Sequence, residues 1–379
     1  MVWVVSAQQS PAKGGVKGKT ITTAATSFCM DALAEARAVI DAGPVCDSCL
    51  GRVFADRSFG LSNADRGSGL RTAVAIADDE PYETVTPEEC WVCDGECGRF
   101  EEWADRAVAA VQTVDFDTYQ VGTRTPPLIE ENDRLLREDA GLDPDAGELF
   151  KSNFNREVGK RLGRQTDTEV DFDRPDIQFT LDLANDRVDS QINSAFVYGR
   201  YRKLERDIPQ TEWPCRECHG SGRRRGEPCD HCDGEGYLYP ESVEQLTAPV
   251  VEEAMDGSDA TFHGAGREDV DAKMLGTGRP FVIEIDEPHR RRVDADELEA
   301  DINAFADGKV EVEGLRLAGY EMVERVKGLD ASKTYRAAVE FDADVSEADL
   351  TNAINEIDGA TIKQETPQRV DHRRASKTR

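Results

Sequence analysis

Between Thr26 and Gly43 the apolar positions Cys29, Leu33, Ala36 and Ile40 recur every three or four residues, the period of an amphipathic helix. Gly43-Pro44 ends it, because neither residue carries a helix forward. A second helix of the same period is expected from Phe100 through Trp103, Ala107 and Val111. The period changes to two at Ile177, Phe179, Leu181 and Leu183, which alternate with Gln178, Thr180 and Asp182 as in a half-buried strand. Further on, the pattern predicts a strand at 281–285 and a helix at 294–306 with Leu298, Ile302 and Phe305 inward and Gly308 as its stop. Strands near 310–317, a strand from Tyr335 to Phe341 and a helix from Ser346 to Ile357 closed by Gly359 complete it. The mixture is an α+β pattern without tandem repeats.

At 379 residues the chain is long enough for two domains, each able to bury its own core. Asp and Glu outnumber Lys and Arg by 76 to 46, a formal charge of -30, and the acidic residues are spread along the whole chain. Such a surface suits a salt-rich cytoplasm. No run approaches the roughly 18 apolar residues of a membrane span, and MVWVVSAQQS lacks the charged start and long apolar core of a secretory signal. A soluble cytoplasmic protein is expected, with residues 1–25 as a flexible tail.

Eight of the ten cysteines stand in CxxC pairs, and a cytosolic protein has little use for structural disulfides, so zinc is the expected cofactor. Cys46, Cys49, Cys90 and Cys93 are expected to form one four-thiolate staple, with Cys97 a bystander. CRECHGSG at 215 and CDHCDGEG at 229 both fit CxxCxGxG. A zinc hairpin over 215–232 follows, held by Cys215, Cys218, Cys229 and Cys232, with glycines that let the backbone turn back toward the sulfurs. The same short repeat occurs in DnaJ-type chaperones, but no HPD of a J domain is present. Cys215–His219 also reads CxxCH, a haem-attachment string, which the adjoining partner CxxC argues against.

Two segments run against the global charge. GRYRKLER at 199–206 sets Arg200, Arg202, Lys203 and Arg206 around Tyr201, a mixture of cations and aromatic that suits RNA. GAGREDVDAKMLGTGRPFVIEID at 264–286 places Arg267, Lys273 and Arg279 about Asp269, a carboxylate in a basic loop ahead of an alternating strand. An acidic protein can still bind a polyanion at molar salt, where the screening length is about 3 Å and close Arg–phosphate hydrogen bonds persist while global repulsion fades.

Several blocks occur in a recognisable order: CDSCLGR at 46, FKSNFNREVGKRLGR at 150, FVYGRYRKLERDIPQTEWPC at 196, GREDVDAKMLGTGRPF at 266, KTYRAAVEF at 333 and KQETPQRVDHRR at 363. Through them the chain resembles the archaeal and eukaryotic tRNA pseudouridine(54/55) synthases over most of residues 40–379. The resemblance implies a zinc-stapled, THUMP-like RNA-binding region over 26–205, in which FNREVGKRLGR offers a basic helical face. It also implies a catalytic domain over 206–379 with a mixed or antiparallel sheet.

The family likeness further implies isomerisation of uridine in the TΨC arm of tRNA by a base-flipping mechanism without an organic cofactor. Asp269 is then the catalytic carboxylate, with Asp271 its nearest rival, and Tyr335 stacks on the extracted base. Arg267 and Arg279 meet nearby phosphate, and Arg200 and Lys203 contact RNA. A monomer is expected. The family continues past RVDHRR to a Leu-Tyr-x-Lys-Glu-Leu motif whose cation pairs with the catalytic aspartate, whereas this sequence stops at Arg379, so a truncated form is expected. Arg369, Arg373 and Arg374 are expected to touch RNA. The alternative is a zinc-containing tRNA-binding protein without catalysis.

Overall fold

The computed structural model describes residues 23–266, 268–329 and 334–360, with side chains from Ala32 onward. Most of the expected tail, the side chain of Cys29, Arg267 and the 363–374 segment lie outside the described residues. The chain divides into two units, 1–329 and 330–379.

The first unit begins with α1 (Thr23–Asp41), α2 (Asp47–Arg52), α3 (Asn63–Asp78) and α4 (Phe100–Ala110). It continues through β1 (Thr118–Arg124), α5 (Pro127–Asp139), α6 (Phe150–Thr166), β2 (Glu169–Val170), β3 (Ile177–Asp182) and β4 (Arg187–Ile192). The first two expected helices are α1 and α4, and the alternating segment is β3. These strands form a mixed sheet in the order β2-β1-β3-β4, with β1 parallel to both β2 and β3, and β3 antiparallel to β4.

Alternation along β3 sends Ile177, Phe179 and Leu181 into the core that α4 and α6 cover with Trp103, Phe150, Phe154 and Leu162, all fully buried or nearly so. Each such side chain contributes about 1.5–3 kcal/mol of burial. Trp103 also keeps its indole N–H satisfied by donating to Glu96 at 2.9 Å.

The same unit contains a second core on a second sheet. Its strands are β5 (Ala195–Lys203), β8 (Asp259–Gly264), β9 (Met274–Asp286) and β10 (Val310–Ala318), separated by the short hairpin β6 (Arg223–Arg224) and β7 (Glu227–Pro228) and by α7 (Ala248–Met255) and α8 (Ala295–Phe305). The order β10-β5-β9-β8 is antiparallel throughout. One face packs Val197, Tyr201, Phe281, Ile283 and Ile285 against Val251, Met255, Leu298 and Ile302 of α7 and α8. The other packs Val282 against Val323 and Val326 of α9 (Glu321–Lys327). The molecule is therefore α+β, as expected.

Three expectations fail in detail. The segment 195–203, assigned to the first region by a boundary at 205, is an inner strand of the second sheet, because its apolar parity fits that core. Phe305 is exposed, and Ala306 takes the inward position one helical turn after Ile302. Residues 335–341 form no strand, and Tyr335, Val339 and Phe341 are exposed. In that second unit the helix forms as expected: α10 (Glu347–Ile357) is capped by Ser346, whose hydroxyl accepts from the Asp349 N–H at 3.2 Å.

Charges also occur at depth. Arg52 and Arg137, both without exposed surface, converge on Asp133, which also accepts from the Phe150 N–H at 3.0 Å. Burial raises the Asp133 pKa, but the two guanidinium groups and the amide outweigh it and leave the carboxyl below its ordinary value. A depressed carboxyl stabilises the fold above its unfolded pKa of about 3.9 and loses that contribution as pH falls toward the folded value. Asp133→Asn strands two buried cations, so chemical denaturation should show a loss of about 3–5 kcal/mol at neutral pH. Its stability should also vary less than the parent's below about pH 4.

Candidate active site and metal centres

The loop joining β8 to β9 carries two adjacent carboxylates that face opposite ways. Asp269 is exposed, and among the described residues its carboxylate has no hydrogen-bond or ion-pair partner. The Glu268 side chain is only 3% exposed; it accepts from the Tyr201 hydroxyl at 2.8 Å and faces Arg279 Nε at 3.3 Å.

A polar floor fixes this loop from below. Lys203 Nζ donates to the carbonyls of Ile208 at 2.8 Å, Asp269 at 3.1 Å and Val270 at 3.0 Å. Gln210 Nε2 donates to the Gly266 carbonyl and the Tyr201 hydroxyl, each at 2.9 Å, and Arg279 Nη1 donates to the Ala265 carbonyl at 2.9 Å. Gly264 makes room for this packing, since a Cβ there would stand 2.5 Å from Gln210 Nε2. Burial lowers the Lys203 pKa, Glu268 opposing it, while burial and then Glu268 drive that of Tyr201 well up.

These contacts revise the expected RNA contacts. Lys203 has no exposed area and cannot reach a phosphate, because it stands on the inward parity of β5 with Val197 and Tyr201. Arg279 is likewise buried and spends its guanidinium on the loop. Arg200 is half-buried, and its Nε and Nη2 donate to the Thr277 and Gly278 carbonyls at 2.6 and 2.7 Å. Arg202 pairs with Glu311 at 2.7 Å, and Arg206 donates to the Asp271 carbonyl at 2.6 Å.

On α6, Arg156 pairs with Glu148 and Glu157, and Arg161 with Glu157 and Glu101. Much of the expected basic face is therefore internally paired. Arg267 lies outside the described residues, and Tyr335 belongs to the other unit. Sequence reasoning missed Glu268, Gln210 and Tyr201 as parts of the site; strict alternation along β5 was the signal for Tyr201.

Two buried thiol clusters could hold metal. In the hairpin, the sulfurs of Cys215, Cys218, Cys229 and Cys232 lie within 4.8 Å of one another, as expected. The Cys215–Cys229 and Cys218–Cys232 separations are 3.9 and 3.7 Å, close to the roughly 3.8 Å edge of a tetrahedron built on ~2.3 Å Zn–S bonds. The repeat is nearly symmetric: a Cβ on Gly222 would meet the Gly234 carbonyl at 2.2 Å, one on Gly236 the Gly220 carbonyl at 2.4 Å. The Gly236 N–H faces Cys232 Sγ at 3.1 Å.

The first cluster differs from expectation. Its four mutually close sulfurs are Cys46, Cys49, Cys93 and Cys97, with Cys46–Cys93 and Cys49–Cys97 both at 3.8 Å. Cys97 is no bystander, because the 3-10 turn Glu96–Gly98 returns it to Cys49. Cys90 is buried beside Cys46, Cys49 and Cys93 but outside the four. Arg52 Nη2 donates to Cys49 Sγ at 3.8 Å, linking this cluster to Asp133. Both donor sets fit zinc.

Together these features define an α+β protein with a thiolate-stapled accessory region and a second sheet presenting a carboxylate loop. A model described as Pus10, C-terminal matches residues 196–379, and one described as the archaeal Pus10 THUMP domain matches 103–182. The tRNA pseudouridine synthase Pus10 of Halorubrum lacusprofundi is 70% identical over 350 residues, covering 92% of this chain and 82% of the relative. Its counterpart in Methanothrix thermoacetophila is 40% identical over 374 residues, covering 92% and 81%, and that in Methanocaldococcus jannaschii 35% over 366, covering 88% and 77%. The chain belongs to the Pus10 family. No helix among the described residues is long and apolar enough to cross a membrane.

Zinc bound at both clusters would give about two equivalents per chain by metal analysis. Cys97→Ser should weaken retention at the first cluster against a chromophoric chelator more than Cys90→Ser does. The reverse ranking would place Cys90 in the fourth position.

Proposed function

We propose that this protein is a cytoplasmic tRNA pseudouridine synthase that isomerises uridines 54 and 55 in the TΨC arm, with Asp269 as its reactive carboxylate. The observation that carries this reading is the split between neighbouring carboxylates. Glu268 is buried in hydrogen bonds, while Asp269 stands exposed on a loop whose backbone is fixed at both ends of the motif. Membership of the family and the activity for which its relatives are named suggest the reaction.

In that reaction the N1–C1' bond of uridine breaks, the uracil rotates, and C5 joins C1'; the proton on C5 is then lost and N1 gains one. Atoms balance without oxidant or cosubstrate. The uridine leaves the stack to reach the loop, and the ionised Asp269 either adds to C6 of the base and is eliminated again after C5 has joined C1', or displaces uracil at C1' of the ribose and is itself displaced when C5 attacks that carbon. An exposed carboxylate with no partner among the described residues suits a nucleophile. Arg267, next to Glu268 in the sequence, meets phosphate. Zinc held by Cys215, Cys218, Cys229 and Cys232 and by the cluster of Cys46, Cys49, Cys93 and Cys97 would be structural, cross-linking the segments that carry them.

Carbodiimide-adduct primer extension on an unmodified tRNA transcript, in molar salt, tests the reading. Stops in the TΨC arm are expected with the parent and not with Asp269→Asn. Stops that persist undiminished in the variant would overturn the assignment of Asp269, and tRNA binding without any stops would favour a non-catalytic binding protein.

A further inference from the structure

The polar floor beneath the loop has no role in the reaction as described, yet it is expensive to bury. Lys203, Tyr201, Gln210, Glu268 and Arg279 are each buried in whole or in side chain. Burying polar and charged groups costs desolvation free energy and is tolerated only where each finds a partner. A purely apolar floor would give the same sheet without that cost. What it could not give is a set of directional bonds to several points of one loop.

Those points lie on either side of position 267. Arg279 holds the carbonyl of 265, Gln210 that of 266, Tyr201 and Arg279 the side chain of 268, and Lys203 the carbonyls of 269 and 270. Lys203 also holds Ile208, and the Asp207 N–H donates to the Val270 carbonyl at 2.9 Å. The start of the segment leading to the zinc hairpin is thereby locked to the same loop. The backbone of 269 is held through its carbonyl and its neighbour is anchored inward, while the Asp269 side chain is exposed to solvent.

We propose that Glu268, Tyr201 and Lys203 are positioning residues for Asp269: Glu268 acts as an inward anchor that Tyr201 and Arg279 hold, and Lys203 clamps the carbonyl of the reactive residue itself. This rests on the reading of Asp269 as the reactive carboxylate. Near-attack geometry requires reacting atoms to be held about 3–3.5 Å apart, so freeing the loop should slow chemistry without weakening the grip on tRNA.

Glu268→Gln keeps the shape but leaves Arg279 without its anion, and Tyr201→Phe removes one hydroxyl. Lys203→Met keeps the stem and frees three carbonyls; should it fail to fold, the other two variants carry the test. For each, single-turnover isomerisation, tRNA affinity, melting temperature and hydrogen exchange over residues 264–273 are measured beside the parent and Asp269→Asn.

The expected result is at least a tenfold slower single turnover with tRNA affinity within twofold, and faster exchange confined to the loop. Rates within twofold of the parent, while Asp269→Asn is inactive, would overturn the proposal and leave the reading of Asp269 intact. Loss of rate, affinity and exchange protection together across the sheet would overturn it as well, showing a merely structural role. Full activity in Asp269→Asn would sink the parent reading; the exchange arm then still judges the clamp, and an unchanged loop would refute it.

Discussion

A lysine ammonium with no exposed surface, answered by three backbone carbonyls, fixes the carboxylate loop of this protein. Lys203 reaches the carbonyls of Ile208, Asp269 and Val270, so an inner strand, the entry to the cysteine hairpin and the carboxylate loop share one cation. An ammonium has three donors, and here all three are used on carbonyls. The position of Asp269 thus depends on the packing of the second sheet, which places Tyr201 and Lys203 on its inward parity.

The same economy runs through the molecule. With a formal charge of -30, cations are scarce, and many of those described serve internal geometry: Arg52 and Arg137 around Asp133, Arg279 against Glu268, and Arg291 on Asp176 at 3.1 Å. Arg291 and Arg292, which pairs with Asp117 at 2.6 Å, tie the segment after β9 to the first sheet. Arginine suits such sites because its planar fork bonds several acceptors at once. Arg52 goes further, joining the first thiolate cluster to the Asp133 triad. The four-thiolate centre is therefore coupled to α5 and α6 through charge as well as through packing.

Much of this architecture was legible in the sequence. The three-to-four spacing gave α1, α4 and α10, alternation gave β3, and the doubled CxxCxGxG gave the four cysteines that the hairpin gathers, because its glycines allow a close approach of the two turns. The GRED block located the carboxylate loop. Less legible was anything decided by tertiary parity. Lys203 reads as a surface cation in a basic run, yet counting by two from Val197 puts it inside and leaves Arg200 and Arg202 on the other face. Cys97 was set aside because its spacing breaks the CxxC rhythm, and only the turn at 96–98 brings it to Cys49. The alternating segment at 335–341 has strand composition but no pairing partner among the described residues, and composition alone does not make a strand.

The central claim is that Asp269, and not Glu268 or Asp271, meets the uridine. A crystal structure of the chain bound to a TΨC stem-loop tests it most directly. The expected result is a uridine withdrawn from the stack, with an Asp269 carboxylate oxygen about 3–3.5 Å from C6 or C1' and Glu268 still bonded to Tyr201. A uridine facing Asp271, or one drawing Glu268 out of its contacts with Tyr201 and Arg279, would contradict the account.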